Sequence, residues 1–396
     1  MTMRTNGPDR PGMDFERRIA ATQLPNTLGD APVMTKEDFA REARASSALL
    51  RFATSQSGVP APVATPTHVG RICADALRVA GLTADDVNLN LAAPPPHASA
   101  WSANRGLARL GARSLNRNFT DWEPPIEEGV ASTATVVSSI PGKALDVADE
   151  VERSHGPPTE VFPSLDVGLF SGQLLRPGVR AELASRWGLE TTREFYGSSE
   201  AFLVAAAPDD SRRLVPLLNH HVLEIEVDGD IVDVRDVETP TEGSILITDP
   251  ARSAVTLQRY RQGDWVRVHP DDPLPRITPL GRSDDAIDLD GALLHPADLF
   301  DAIGEVFPDE PTTVVYVHDA DPPTTVEVFV EAAVDPRTDE LHEALLARQP
   351  ALGHAIGDAP GERIEVSPVA DLGELSFLTE DGLKSQLIVF ESAANA

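Results

Sequence analysis

Apolar and polar positions alternate along this chain with two different periods, and the period changes twice. From Thr35, the string TKEDFAREARASSALLR sets apolar residues at helical spacing behind a threonine cap and first-turn acids, which predicts a helix. THVGRICADALRVAG and SANRGLARLGA repeat that spacing and predict amphipathic helices, and PGVRAELASRWG opens on Pro177 and closes on Gly188 as a helix does. Short apolar runs lie between them. VNLNLA and TEVFPSL, with the start of DVGLF, predict buried strands, and TTREFY predicts the strand that delivers YGSSE. This alternation points to an α/β fold in which helices flank a mainly parallel sheet.

Between His221 and Val268 the period shortens to two. HVLEIEVDGDIVDV predicts a hairpin turned at Asp228-Gly229, and GSILITD and AVTLQRY add strands to an antiparallel, β-rich subdomain. The second change falls at Gly281. Beyond it come a strand, a helix (296–306), a strand pair (TTVVYVH and TVEVFVEA), a helix (338–348) and the strand ERIEVS. That is a small α+β unit of about 110 residues, long enough to be a domain. Residues 1–30 carry little periodicity and read as a loose arm with one short helix near Asp14 to Ala21. The expected organisation is an N-terminal arm (1–30), a large domain (31–281) and a small C-terminal domain (282–396).

Composition narrows the function. With 63 acidic against 33 basic residues the chain carries a net charge of -30, so it lacks the basic face that nucleic acid requires. Only Lys36, Lys143 and Lys384 are lysines. Such acidity implies adaptation to concentrated salt, where screening relieves self-repulsion; a codon-biased genome accounts for the scarce lysine but not for the charge. No apolar run approaches the roughly 20 residues of a membrane span, and the N-terminus has no apolar signal core, so a cytoplasmic protein without a membrane partner is expected. The single cysteine, Cys73, sits on the apolar side of a helical pattern and reads as core.

Three short segments carry chemistry. YGSSE ends a strand of the α/β part, where such sheets bind ligands. Ser198 and Ser199 there can donate to phosphate oxygens, Glu200 can hold Mg²⁺, and Tyr196 can stack on a base, although the pentapeptide alone is equally a plain turn. In RYRQGDW a turn glycine frees Asp264 to accept two hydroxyl hydrogens, the geometry of a ribose diol; a hairpin with a turn aspartate reads the same way. GRSDDAIDLDGALLHP combines a turn, a charged cluster, Gly291 and Pro296 at the border between the two patterns. His97 with Trp101, and the pair His220-His221, are the histidines with a chance of a role, and no Cys or His spacing suggests zinc.

In this order the three segments resemble the acyl-adenylate-forming superfamily, and the Asp-Asp spacing with Gly291 and Pro296 resembles its phenylacetate-CoA ligase branch. APVMTKEDF and LFSGQLLRPGVRAELASRWG extend the similarity over roughly residues 31 to 390. The resemblance implies ATP, Mg²⁺ and coenzyme A as cofactors and a small carboxylic acid, an aromatic one by the branch it resembles, as substrate. It assigns the nucleotide to Tyr196, Gly197, Ser198, Ser199, Asp264 and Arg282, with Gly172 and Gln173 flanking adenine beside Ser171, where many relatives have an acid in place of Gln173. Glu200 would be catalytic and hold Mg²⁺, Asp284 would be the hinge of a swivelling small domain, and Gly291 would line the thiol tunnel. Lys384 in LTEDGLKSQLIVFE would be the catalytic lysine, although Leu387 stands where relatives have a basic residue. The phosphate loop, Thr54 to Pro60, would bind nucleotide through Ser55, Ser57 and Gly58. It departs from the pattern: it is one residue short, with Gln56 for a glycine and Val59 for the lysine. Lys143 offers a replacement charge. Two functions follow, an acyl-CoA synthetase or a nucleotide-binding homologue without turnover, and self-association to a homodimer stays open.

Overall fold

The computed structural model describes residues 11–54, 58–116, 133–289, 291–308, 313–319, 324–331, 337–353, 363–370 and 388–391. Helix α1 (Pro11–Thr22) buries Phe15 and Ile19, four residues apart and so on one face, in the main apolar core. The chain after it is tied down, with Leu24 N–H donating to Leu218 O at 2.7 Å and the Asn26 amide donating to Glu224 and Asp233 at 3.0 Å. From Pro11 on, the described part of the arm expected to be loose is packed. Helix α2 (Lys36–Ala45) starts on a capping box in which Thr35 Oγ1 accepts from Asp38 N–H and the Asp38 carboxylate accepts from Thr35 N–H. It was expected to run to Arg51 and stops at Ala45. Ser46 turns extended and its hydroxyl accepts from Ala48 N–H, the local competition by which serine breaks helices. Strand β1 (Leu50–Phe52) follows and pairs antiparallel with β2 (Ala61–Val63).

Next come α3 (Pro66–Val79), β3 (Val87–Asn90), α4 (Ser99–Leu110), β4 (Arg113–Asn116), β5 (Val136–Ser139), α5 (Pro141–His155), α6 (Pro158–Val161), β6 (Val167–Ser171), α7 (Pro177–Trp187), β7 (Thr191–Ser198), β8 (Phe202–Ala206) and β9 (Val215–Pro216). Their strands form one sheet in the order β4-β3-β5-β6-β7-β8-β9, parallel from β4 to β7 and antiparallel from β7 to β9. Strand β3 is buried at every position, as a strand covered on both faces must be. TEVFPSL is not a strand. Pro158 opens the single turn of α6 there, and pairing begins only at Val167.

The β-rich part is a five-stranded sheet, in the order β11-β10-β12-β13-β14, made of β10 (Val222–Val227), β11 (Asp230–Asp233), β12 (Thr241–Asp249), β13 (Leu257–His269) and β14 (Arg276–Arg282). Its first hairpin turns at Asp228 and Gly229, both at positive φ (50° and 90°), the two-residue turn that an Asp-Gly step selects.

The last part contains the hairpin β15 (Ile287–Leu289) and β16 (Ala292–Leu294), helix α8 (Pro296–Val306), β17 (Thr313–His318), β18 (Thr325–Glu331), α9 (Thr338–Arg348), β19 (Ile364–Val369) and β20 (Ile388–Phe390). Its sheet runs β19-β18-β17-β20. The apolar faces of α8 and α9 close over it in a core of their own, with Leu299, Ile303, Val315, Val328, Leu341 and Leu345 buried.

Contacts divide the molecule into two units. One holds 1–173 and 184–279; the other holds 280–396 together with Leu174–Leu183. Inside the second unit Gly304 lies against Pro177, and the Arg176 guanidinium caps the Phe300 ring at 5.1 Å while donating to Thr313 O at 3.2 Å. Leu174–Leu183 thus packs with the C-terminal elements, which no periodicity in its sequence signals. Among the described residues no helix is long and apolar enough to cross a bilayer.

Candidate nucleotide site

The carboxyl end of β7 is where the sheet changes from parallel to antiparallel, and there the chain writes Tyr196-Gly197-Ser198-Ser199-Glu200. Gly197 is required by the turn itself, since a Cβ on it would stand 1.9 Å from Phe202 O. Ser198 Oγ accepts from Ala201 N–H at 3.1 Å and fixes the bend. Tyr196, Ser198 and Ser199 are half-buried and Glu200 is buried, 1% exposed.

Strand β13 brings its own motif to the same place. Gly263, at φ 94°, interrupts the pairing with β12, whose register shifts between Ser244 and Leu246. Asp264 beyond it accepts from Tyr196 OH at 2.8 Å and from the Gln262 amide at 2.6 Å, and that amide also donates to Tyr196 OH at 2.7 Å. Two motifs 68 residues apart therefore meet in a three-membered hydrogen-bonded joint. The tyrosine expected to stack on a base thus has its hydroxyl committed to this joint, which leaves only its ring faces for an aromatic ligand. Arg259, the first residue of the motif, is a fold residue: it forms a bidentate pair with Glu224 (2.8 and 2.9 Å) and donates to Ala31 O.

The segment expected to bind phosphate is closed by Thr54, whose hydroxyl donates to Val59 O at 2.8 Å. Ser55 and Ser57, and Gln56 between them, lie outside the described residues. Gly58 is exposed at φ 65° with nothing near its absent Cβ. Val59, in the lysine's position, is buried in the main core. The residue that departs from the pattern thus points its side chain inward.

At the end of β6, Gly172 is exposed at φ 84°, and the Gln173 amide oxygen accepts from Gly142 N–H at 3.2 Å, which ties it to the first turn of α5. Lys143, on that same turn, is bonded to Asp146 at 2.7 Å. In the second unit, Arg282 reaches Asp284 at 3.2 Å, and Asp284 is exposed on a single 3₁₀ turn. Two glycines of that segment serve the backbone. Gly281 (φ 113°) presses on Pro296, where a Cβ would come within 2.9 Å, and Gly291 (φ 90°) donates to Asp288 at 2.6 Å in the β15–β16 turn. Lys384 lies outside the described residues.

The expected histidines separate. His97 is half-buried, and Trp101 packs on Phe52 at 4.8 Å in a small apolar cluster. His220 is paired with Asp75 at 2.8 Å. His221 is fully buried beside Leu203 O, and burial pushes its pKa down to about 4. Sequence reasoning missed His68, packed on His220 and bonded to both oxygens of Asp249 at 2.9 Å, and the buried Arg252 three residues beyond Asp249. Nothing in TDPARSAV marks that arginine as buried.

No protein family's sequence model matches this chain, and no curated protein sequence does. Solved structures do. The chain superposes on 2-hydroxyisobutyryl-CoA ligase in its postadenylation state, in complex with 2-HIB-AMP, with a TM-score of 0.67 at 17% identity, covering 98% of this chain and 89% of that one. The same ligase in an open conformation with 2-HIB-AMP and CoA gives 0.57 at 17% identity, over 95% of this chain and 86% of that one. ATP-bound MatB from Rhodopseudomonas palustris gives 0.60 at 16% identity, over 85% of this chain and 66% of that one. The chain has the fold of adenylate-forming acyl-CoA ligases.

Proposed function

We propose that this protein is an ATP-dependent acid–thiol ligase. The observation that carries the reading is the joint between Tyr196, Gln262 and Asp264 at the end of β7, next to the buried carboxylate of Glu200, in a fold shared with ligases of known adenylate complexes. A carboxylate oxygen of the acid attacks the α-phosphorus of ATP, the bond to the β-phosphate oxygen breaks, and pyrophosphate leaves. The thiol sulfur of coenzyme A then attacks the acyl carbon, the bond to AMP oxygen breaks, and the thiol proton passes to solvent. The mixed anhydride is what makes the second step feasible, because a free carboxylate is a poor electrophile. Positioning and charge stabilisation supply the catalysis.

The roles of the individual residues are those that the resemblance implies. Asp264 takes the ribose hydroxyls, Ser198 and Ser199 donate to phosphate, and Gly172 and Gln173 border the adenine. Arg282 answers the phosphate charge, Lys384 neutralises charge during adenylation, Asp284 is the hinge and Gly291 borders the thiol path. Glu200 would hold Mg²⁺, a hard ion that needs only one or two carboxylates when phosphates and water complete its shell. When bound it supplies positive charge to the phosphates. The phenylacetate-CoA ligase resemblance favours an aromatic acid.

A second reading has one observation in its favour. Val59 is buried where a loop cation would stand, which suits a protein that binds nucleotide without turning it over. Exchange of labelled pyrophosphate into ATP, driven by a panel of aromatic and hydroxylated acids, separates the two. The ligase gives acid-dependent exchange that is lost in Glu200→Gln; ATP binding with no exchange for any acid leaves the binder.

A further inference from the structure

Helix α5 begins without a side-chain cap of its own. Its N-cap position is Ile140, which has no side-chain oxygen, and Pro141 follows, so Gly142 N–H is one of the donors that a first turn leaves without an intrahelical partner. Gln173, just past the end of β6, meets it: the amide oxygen accepts from Gly142 N–H at 3.2 Å. Only that oxygen can do so, because the amide nitrogen carries two hydrogens and does not accept. The bond therefore fixes which way round the amide sits, with its oxygen to the helix and its NH₂ away from it. Strands β6 and β7 are parallel and Ser171 pairs with Phe195, so the next residues along, Gly172 and Tyr196, leave the two strands side by side at the carboxyl edge of the sheet. Gly172 turns the chain there at φ 84° and is exposed, and the Tyr196 hydroxyl is held by Asp264 and Gln262.

A base lying against the Tyr196 ring and the bare backbone of Gly172 brings its edge to Gln173. We propose that Gln173 chooses the purine: its amide NH₂ donates to the base edge, so that the site takes a 6-oxopurine triphosphate at least as well as ATP. This rests on the reading that Gly172 and Gln173 border the base. The 6-amino group of adenine is a donor and meets the NH₂ donor to donor, whereas the 6-oxo group of hypoxanthine or guanine accepts. A glutamate here, the acid that the resemblance gives to many relatives, would accept from Gly142 N–H with one oxygen and offer the other to the 6-amino group. Glutamine and glutamate have nearly the same shape. Exchanging them reverses the polarity of one contact and leaves its size alone, and a site that hydrogen-bonds its ligand discriminates against one that leaves the bond unmade.

The test uses the full-length chain at neutral pH, with ATP and inosine triphosphate as probes in the presence of Mg²⁺ and binding read by calorimetry. The native chain is expected to bind inosine triphosphate at least as tightly as ATP. Gln173→Glu is expected to move the ratio of the two affinities toward ATP by about tenfold or more. It should keep its melting temperature, because a carboxylate oxygen still accepts from Gly142 N–H and negative charge is favoured at a helix N-terminus. Gln173→Met keeps the length and loses both polar groups; it should melt lower and show a ratio between the other two. A role confined to capping α5 would weaken both nucleotides together and leave their ratio where it was. A native preference for ATP of about tenfold, or a folded Gln173→Glu with the native ratio, overturns the proposal. If the native chain binds neither triphosphate, the nucleotide site itself fails and the choice of base with it; if it binds both and Gln173→Glu leaves the ratio unmoved, the site stands and the choice of base falls.

Discussion

A methyl group on Gly197 would have to occupy the space of Phe202 O, 1.9 Å away, and nothing in a strand-to-strand turn yields that much. Gly197→Ala is expected to cost about 3 kcal/mol, the upper end for single substitutions, and to lower the melting temperature along with any activity. His221 gives a pH signature. Its folded pKa, near 4, lies below the ordinary 6.5, so burial favours the neutral ring. Its contribution is fully present above about pH 6.5 and is lost as pH falls toward 4, on the order of 3 kcal/mol at most. Melting temperature followed over that window should fall in the native chain and flatten in His221→Gln. Tyr196, Glu200 and Asp264 were legible as candidates because hydroxyls and carboxylates sat beside turn glycines. Arg252 was not. An arginine in a loop reads as solvated, and only the tertiary approach of β2 and Phe202 encloses it.

Elements with strong local signals matched their expectation. The capping box of α2, the Asp228-Gly229 hairpin and the Gly188 stop of α7 are each written within a few residues. The failures came where local and tertiary signals compete: the serines that end α2 early, and the prolines that turn TEVFPSL into one helical turn. The strands β4 and β5 carried no usable periodicity at all. Thr35→Ala removes one side of the α2 cap and should cost about 1 kcal/mol, read by chemical denaturation. Glu224→Ala is a harsher change, since it strands the buried Arg259 guanidinium that ties β13 to Ala31; about 3–5 kcal/mol is expected by the same measurement.

For the whole molecule, the order of the three motifs pointed to a nucleotide-using ligase, and the chain shares the fold of such ligases at 17% identity. The segment Leu174–Leu183 shows what order alone misses, because its partners lie more than a hundred residues downstream. The charge of -30 also belongs to this scale. Self-repulsion should be relieved as potassium chloride rises from about 0.1 to about 2 M, raising the melting temperature; a flat profile would remove salt adaptation from the account. The central claim is that the joint of Tyr196, Gln262 and Asp264 holds the sugar of ATP, and equilibrium binding of ATP to the native chain and to Asp264→Ala tests it most directly. The account predicts that the native chain binds and that the variant, with its melting temperature retained, binds at least about tenfold more weakly. Equal affinity in a folded Asp264→Ala would contradict it.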